Sequence, residues 1–97
     1  MNQDRRSLLD HVSEHLENAC KAVMLKDEPL VWRAEMASVE LELLDPSSIS
    51  SLPDGLISDV DHLVKLVASD LTQDGAVEFA SRLLSLYVGA EVEIARL

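Results

Sequence analysis

Apolar residues recur at three- and four-residue steps along nearly all of this 97-residue chain, and the pattern breaks in only three places. The breaks are KDEP around residue 28, DPSSISSLPDG from residue 45, and the TQDG stretch at 72–75. Such spacing puts apolar side chains on helix faces, so the chain reads as four helices over about 4–26, 29–45, 52–71 and 75–96, with 46–51 as linker. The expected fold is all-α, a four-helix bundle-like arrangement with residues 1–97 as one domain, and two copies are expected to pair as a homodimer through the second helix, the fourth or both. Area scaling lets a chain of this length bury roughly 64% of its unfolded surface, enough for a core without disulfides or metals.

The segments differ in how much of their surface is apolar. In the first, Leu8, Leu9, Val12, Leu16, Ala19, Cys20 and Val23 fall within an arc of about 120°. The third is also one-faced, through Leu56, Val60, Leu63, Val64, Val67 and Leu71. The second carries two stripes. Leu30, Ala34, Ala37, Leu41 and Leu44 form one, and Trp32, Met36, Val39 and Leu43 form another about 200° away. Its VELEL run also alternates, which supports a competing α+β reading with a short strand at residues 38–44. Ala, Glu, Met and Leu favour the helix. In the fourth segment the apolar arc spreads to about 200° and takes in Val77, Leu84 and Val88, which predicts burial on two sides. Glu91 interrupts that arc just after Gly89, so the last turns are expected to kink, fray or face something polar.

Signals for caps accompany the breaks. Asp27 or Glu28 with Pro29 suits the start of the second helix, Ser51 and Asp54 match a capping box for the third, and Thr72 or Asp74 suits the fourth.

Eighteen acids against eight bases give a net charge of −10, which opposes direct contact with nucleic-acid phosphates and anionic lipid and favours basic protein surfaces. The excess is concentrated: residues 28–45 and 46–75 each hold five acids and one base. No run is long and apolar enough for a membrane span, the N-terminal residues lack a signal peptide's apolar region, and the single cysteine excludes an internal disulfide. These features lead to the expectation of a cytoplasmic protein.

HVSEH, residues 11–15, matches H-x-x-E-H and resembles the zinc motif of the inverzincin peptidases. That resemblance implies zinc on His11 and His15, a glutamate as general base, and a further acid ligand, for which Glu91 or Glu93 stands at a tolerable separation. It covers five residues, and those peptidases surround the site with a much larger fold. On a helical wheel His15 lies about 80° and His11 about 120° from the apolar centre, with Glu14 nearly opposite it. The residues themselves therefore read as outward-facing helix-flank histidines, and no cofactor is expected. His62 reads as a solvated histidine, and Asp54, Asp59 and Asp61 lack the D-x-D-x-D-G spacing of a calcium loop. Cys20, at the core edge, reads as a small hydrophobe with a raised pKa. The serines lack a G-x-S-x-G setting, three glycines leave no room for a phosphate-binding loop, and the D-S-L signature of acyl carrier proteins is missing.

What remains is apolar surface beside acids. The expected partner-binding residues are Trp32, Met36, Val39 and Leu43 with Glu35, Glu40 and Glu42, rimmed also by Arg33, and the expected acidic surface is Asp54, Asp59, Asp61 and Asp70. The leading expectation is a non-enzymatic acidic module that binds a basic partner protein, as an inhibitor or immunity protein does. The alternatives are a dimeric adaptor or secretion-type chaperone for an amphipathic segment, and, remotely, a zinc-dependent hydrolase using HVSEH.

Overall fold

The computed structural model describes the backbone of residues 2–24, 27–69 and 71–97, and the side chains of these from Arg5 onward. Among the described residues five helices follow in order: α1 (Asn2–Val23), α2 (Leu30–Glu42), α3 (Pro46–Ile49), α4 (Asp54–Ala68) and α5 (Gln73–Ala95). The fold is all-α, as the periodicity predicts. Residues 38–42 are the last turns of α2, with Leu43 still in helical geometry as its C-cap. The alternative strand at 38–44 is therefore incorrect: the helical formers upstream and the inward stripe of Ala34, Ala37 and Leu41 outweigh the local VELEL alternation.

Long-range pairs fix the topology. His15 meets Glu40 and Arg33 meets the Val23 carbonyl, so α1 and α2 run antiparallel. His62 bonds Glu78, and a Cβ at Gly89 would lie 2.8 Å from Leu56, so α4 and α5 are antiparallel and tightly apposed. Ser13 bonds Glu91 and Arg5 lies 3.7 Å from Glu93, which sets α5 antiparallel to α1. With α2 also packed on α4, the long helices form an up-down-up-down bundle in cyclic order α1, α2, α4, α5, in which α2 and α5 touch across the diagonal.

The core is mostly aliphatic. Leu9, Val12, Leu16 and Ala19 of α1, Ala34, Ala37 and Leu41 of α2, Val60 and Leu63 of α4, and Ala76, Leu83, Leu86 and Ala90 of α5 join Phe79 in one buried cluster. Alanines at 34 and 37, both with no exposed surface, let α2 approach α1 closely. The accessible surface of 5905 Å² is near the ~5500 Å² that area scaling gives for this mass, and the bundle measures 42 × 23 × 19 Å.

Several boundaries and caps differ from the sequence expectation. The 46–51 linker contains α3, a single turn opened by Pro46 at its first position, too short to leave a periodic signature. Proline 29 and Pro53 themselves occupy the N-cap positions of α2 and α4, without side-chain caps, so neither Asp27 nor Glu28 caps α2. The Ser51 hydroxyl donates 2.5 Å to the Ser48 carbonyl rather than accepting from α4. Thr72 caps α5 as expected, accepting from the Gly75 amide at 3.0 Å. The expected span of α1 to residue 26 runs past Met24 into Leu25 and Lys26, which lie outside the described residues.

Candidate interaction surfaces

The inner stripe of α2 packs inward, so the other stripe, about 200° around the helix, must face away from the bundle. Trp32, Met36, Val39 and Leu43 indeed show between 40% and 58% of their surface to solvent. They form one contiguous apolar face over three turns. On the side toward α4 it is bordered by exposed Glu35 and Glu42, and beyond them lies a groove of about 190 Å³ between α2 and α4, lined by Ser38, Glu42, Val64, Val67 and Ala68. Asp61 stands one turn before Val64 on the outer side of α4, where it pairs with Lys65 at 2.8 Å.

On the side toward α1 the polar groups are used internally. Arg33, expected at the rim, turns inward and donates from Nη1 to the Val23 carbonyl at 2.5 Å, at the C-terminal end of α1, where the helix macrodipole favours a cation. Its Nε is buried without a partner among the described residues. Glu40, grouped by sequence with the partner-binding acids, is only half-exposed and accepts a 2.6 Å bond from His15 Nδ1. The base on α2 is thus withdrawn from this face, and among the described residues Glu35 and Glu42 are its exposed charges.

Among the other acids expected at the surface, Asp54 and Asp61 are exposed and Asp59 is half-buried; Asp70 lies outside the described residues. Glu78 on α5 has its carboxyl held below the ordinary glutamate range, chiefly by the bond from His62, with Arg82 adding to the effect.

The histidines of HVSEH stack edge to face, with ring centroids 4.5 Å apart, and His15 is committed to Glu40. Glu91 accepts from Ser13 Oγ, and Glu93 lies 3.4 Å from Arg96. Neither carboxylate joins His11 and His15, and among the described residues no group of three or more His, Cys, Asp or Glu is placed to hold a metal ion. The bond from Ser13 also explains Glu91 within an apolar arc: α5 runs unbroken past Gly89 because that carboxylate meets a hydroxyl on α1.

A second apolar face lies on α5. Val77, Leu84, Val88 and Val92 are between 45% and 58% exposed, so the expectation that α5 is buried on two sides is incorrect. Its neighbours α1, α2 and α4 all lie on the side of Phe79, Leu83 and Leu86, and among the described residues no fifth long helix covers the other side. Beside this face a cavity of about 350 Å³ opens between α1 and α5, lined by Cys20, Val23, Met24, Ala80, Ser81, Leu83 and Leu84. Partial burial, reinforced by the charge of Glu17, raises the Cys20 thiol pKa, so this cysteine is a poor nucleophile. The wide apolar arc signalled the α5 face, but hydrophobic periodicity alone does not say which part of an arc has a cover. Ser13 and Met24 carried no signal in the sequence.

Because α2 and α5 stand at opposite corners of the bundle, their outer faces point in opposite directions. No helix among the described residues is long and apolar enough to cross a membrane. Comparison of the chain with models of known families, with curated proteins and with solved structures finds no match.

Proposed function

We propose that the protein is a non-enzymatic binding module whose α2 face receives an amphipathic, basic segment of a partner protein. One observation carries this reading: four large apolar side chains are exposed in a row, and the charges left exposed beside them are carboxylates. An apolar face of this kind supplies affinity through a desolvated aromatic and its neighbours, with Trp and Met as typical anchors. Glu35 and Glu42, in a chain of net charge −10, supply orientation and a faster encounter with cations. A second copy of α2 fits this face poorly, since it brings the same carboxylates with it. An inhibitor or immunity-type protein covering a basic site is one form of this function, and an adaptor or chaperone for an amphipathic helix is another.

The test uses a Leu/Lys amphipathic helical peptide about as long as α2, with a Leu/Glu peptide as control. Binding of the cationic peptide alone is expected, with NMR shift changes centred on Trp32 and Met36 and an affinity reduced at least about tenfold by Trp32→Ala. Equal binding of both peptides, or shift changes that avoid α2, contradict the reading. Salt then separates the two forms: binding that falls steeply with ionic strength fits the inhibitor, and binding that barely changes fits the adaptor.

A further inference from the structure

The outer face of α5 differs from that of α2 in its charge. Counted at 100° per residue, Val77, Ser81, Leu84, Val88, Val92 and Ala95 form a strip about 27 Å long without a formal charge. Three acids at its edges are already engaged within the subunit, while Asp74 at its start is exposed. Glu78 is held by His62 and Arg82, Glu91 by Ser13, and Glu93 by Arg5 and Arg96. On a molecule of net charge −10, this strip lets a second copy approach without setting carboxylates against one another.

We propose that two copies pair through this face, with α5 antiparallel to α5 of the second copy about a twofold axis beside Leu84 and Ser85. This surface is separate from the α2 face and does not depend on the partner reading given to it. The spacing of 4, 3, 4, 4 and 3 residues along the strip suits a helix seam. In the register centred at 84–85, Val77 faces Val92 of the second copy and the small Ser81 faces Val88. Leu84 meets its own counterpart at the mouth of the cavity lined by Met24, Ala80 and Leu84. Val88 thereby lies over a small serine and the Leu84 pair over an apolar hollow, which favours close packing. The same register brings exposed Asp74, in the first turn of α5, beside exposed Arg96 at the end of α5 in the second copy, and does so twice. In a twofold antiparallel pair each edge of a helix meets the same edge of its mate. Asp74 and Arg96 stand on one edge, and Glu91, on the other, faces Ala80. Opposite charges meet and like charges do not.

Sedimentation equilibrium tests this on the full chain. The parent is expected to move from 10.7 kDa toward twice that mass as concentration rises, and to keep doing so at high salt, because screening relieves the repulsion between two negative molecules. Leu84→Glu should raise the dimer dissociation constant at least about tenfold, since two carboxylates, one from each copy, are then desolvated against each other at the axis, while the far-UV circular dichroism stays unchanged. The charge pairs report the register independently of that variant: Asp74→Arg and Arg96→Asp should each weaken pairing, and the two together should restore it. A parent that stays monomeric at every concentration overturns the proposal. So does a dimer lost with Trp32→Glu but kept with Leu84→Glu, or a double charge swap that fails to recover association. Peptide binding followed at Trp32 is a separate measurement, so failure here leaves the α2 reading standing.

Discussion

Replacing Ala37 by leucine tests which face of α2 points inward. Ala37 has no exposed surface and lies on the stripe pressed against α1, the helix with which α2 packs most extensively. Leucine adds three carbons where none fits without moving α1, and overpacking of this kind costs about 1–3 kcal/mol. Alanine and leucine are both strong helix formers, so the loss reports packing rather than propensity. A domain of this size has a total stability of about 5–15 kcal/mol, and each kcal/mol lowers Tm by roughly 4–8 °C. A drop in Tm of about 8–16 °C for a mid-range cost is well resolved by circular dichroism at 222 nm, and urea titration should show a lower midpoint with an unchanged slope. Met36→Leu, one residue earlier on the exposed stripe, is the control and should stay within about 0.5 kcal/mol of the parent. If Ala37→Leu is as stable as the parent while Met36→Leu is destabilised, α2 is rotated and the Trp32 stripe is core.

Two further perturbations follow from titratable groups. The hydrogen bond from His62 lowers the Glu78 pKa, so Glu78 contributes stability above the unfolded-state glutamate value of about 4.3, and that contribution is lost as pH falls through the lower folded value. The gap in urea midpoint between parent and Glu78→Gln should therefore be open at neutral pH and close in the acid range; a gap that widens on acidification contradicts the assignment. Because burial and Glu17 raise the Cys20 pKa, Ellman's reagent should react with the folded protein more slowly than with the urea-unfolded chain at pH 7. Glu17→Gln should speed the folded reaction, and equal rates in all three samples exclude the shift.

The sequence made the helices and most of the inward faces legible, because Ala34, Ala37, Leu41 and Leu44 repeat at helical steps and all four are buried. It also separated the Trp32 stripe from them by angle. Periodicity reports which positions share a face, however, and not whether anything covers it. Val77, Leu84 and Val88 therefore read as a second buried side when they are a second exposed one. Pairings between distant residues were illegible for a different reason. Ser13 with Glu91, His15 with Glu40 and Arg33 with the Val23 carbonyl depend on how helices are set side by side, and no local pattern encodes that. Arg33 and Glu40 consequently moved from the rim of the proposed binding face to the junction of α1 and α2.

Quenching of Trp32 fluorescence measures the α2 face most directly, since the chain has one tryptophan and its indole stands in the middle of the question. With α2 set as described, emission is that of a partly hydrated indole that acrylamide quenches readily. Measured against the same two ions on a free indole, quenching should be shifted toward caesium and away from iodide, because Glu35, Glu42 and the net charge attract the cation and repel the anion. Blue-shifted emission indifferent to acrylamide, or an iodide-to-caesium quenching ratio at or above that of free indole, contradicts an open apolar face beside carboxylates.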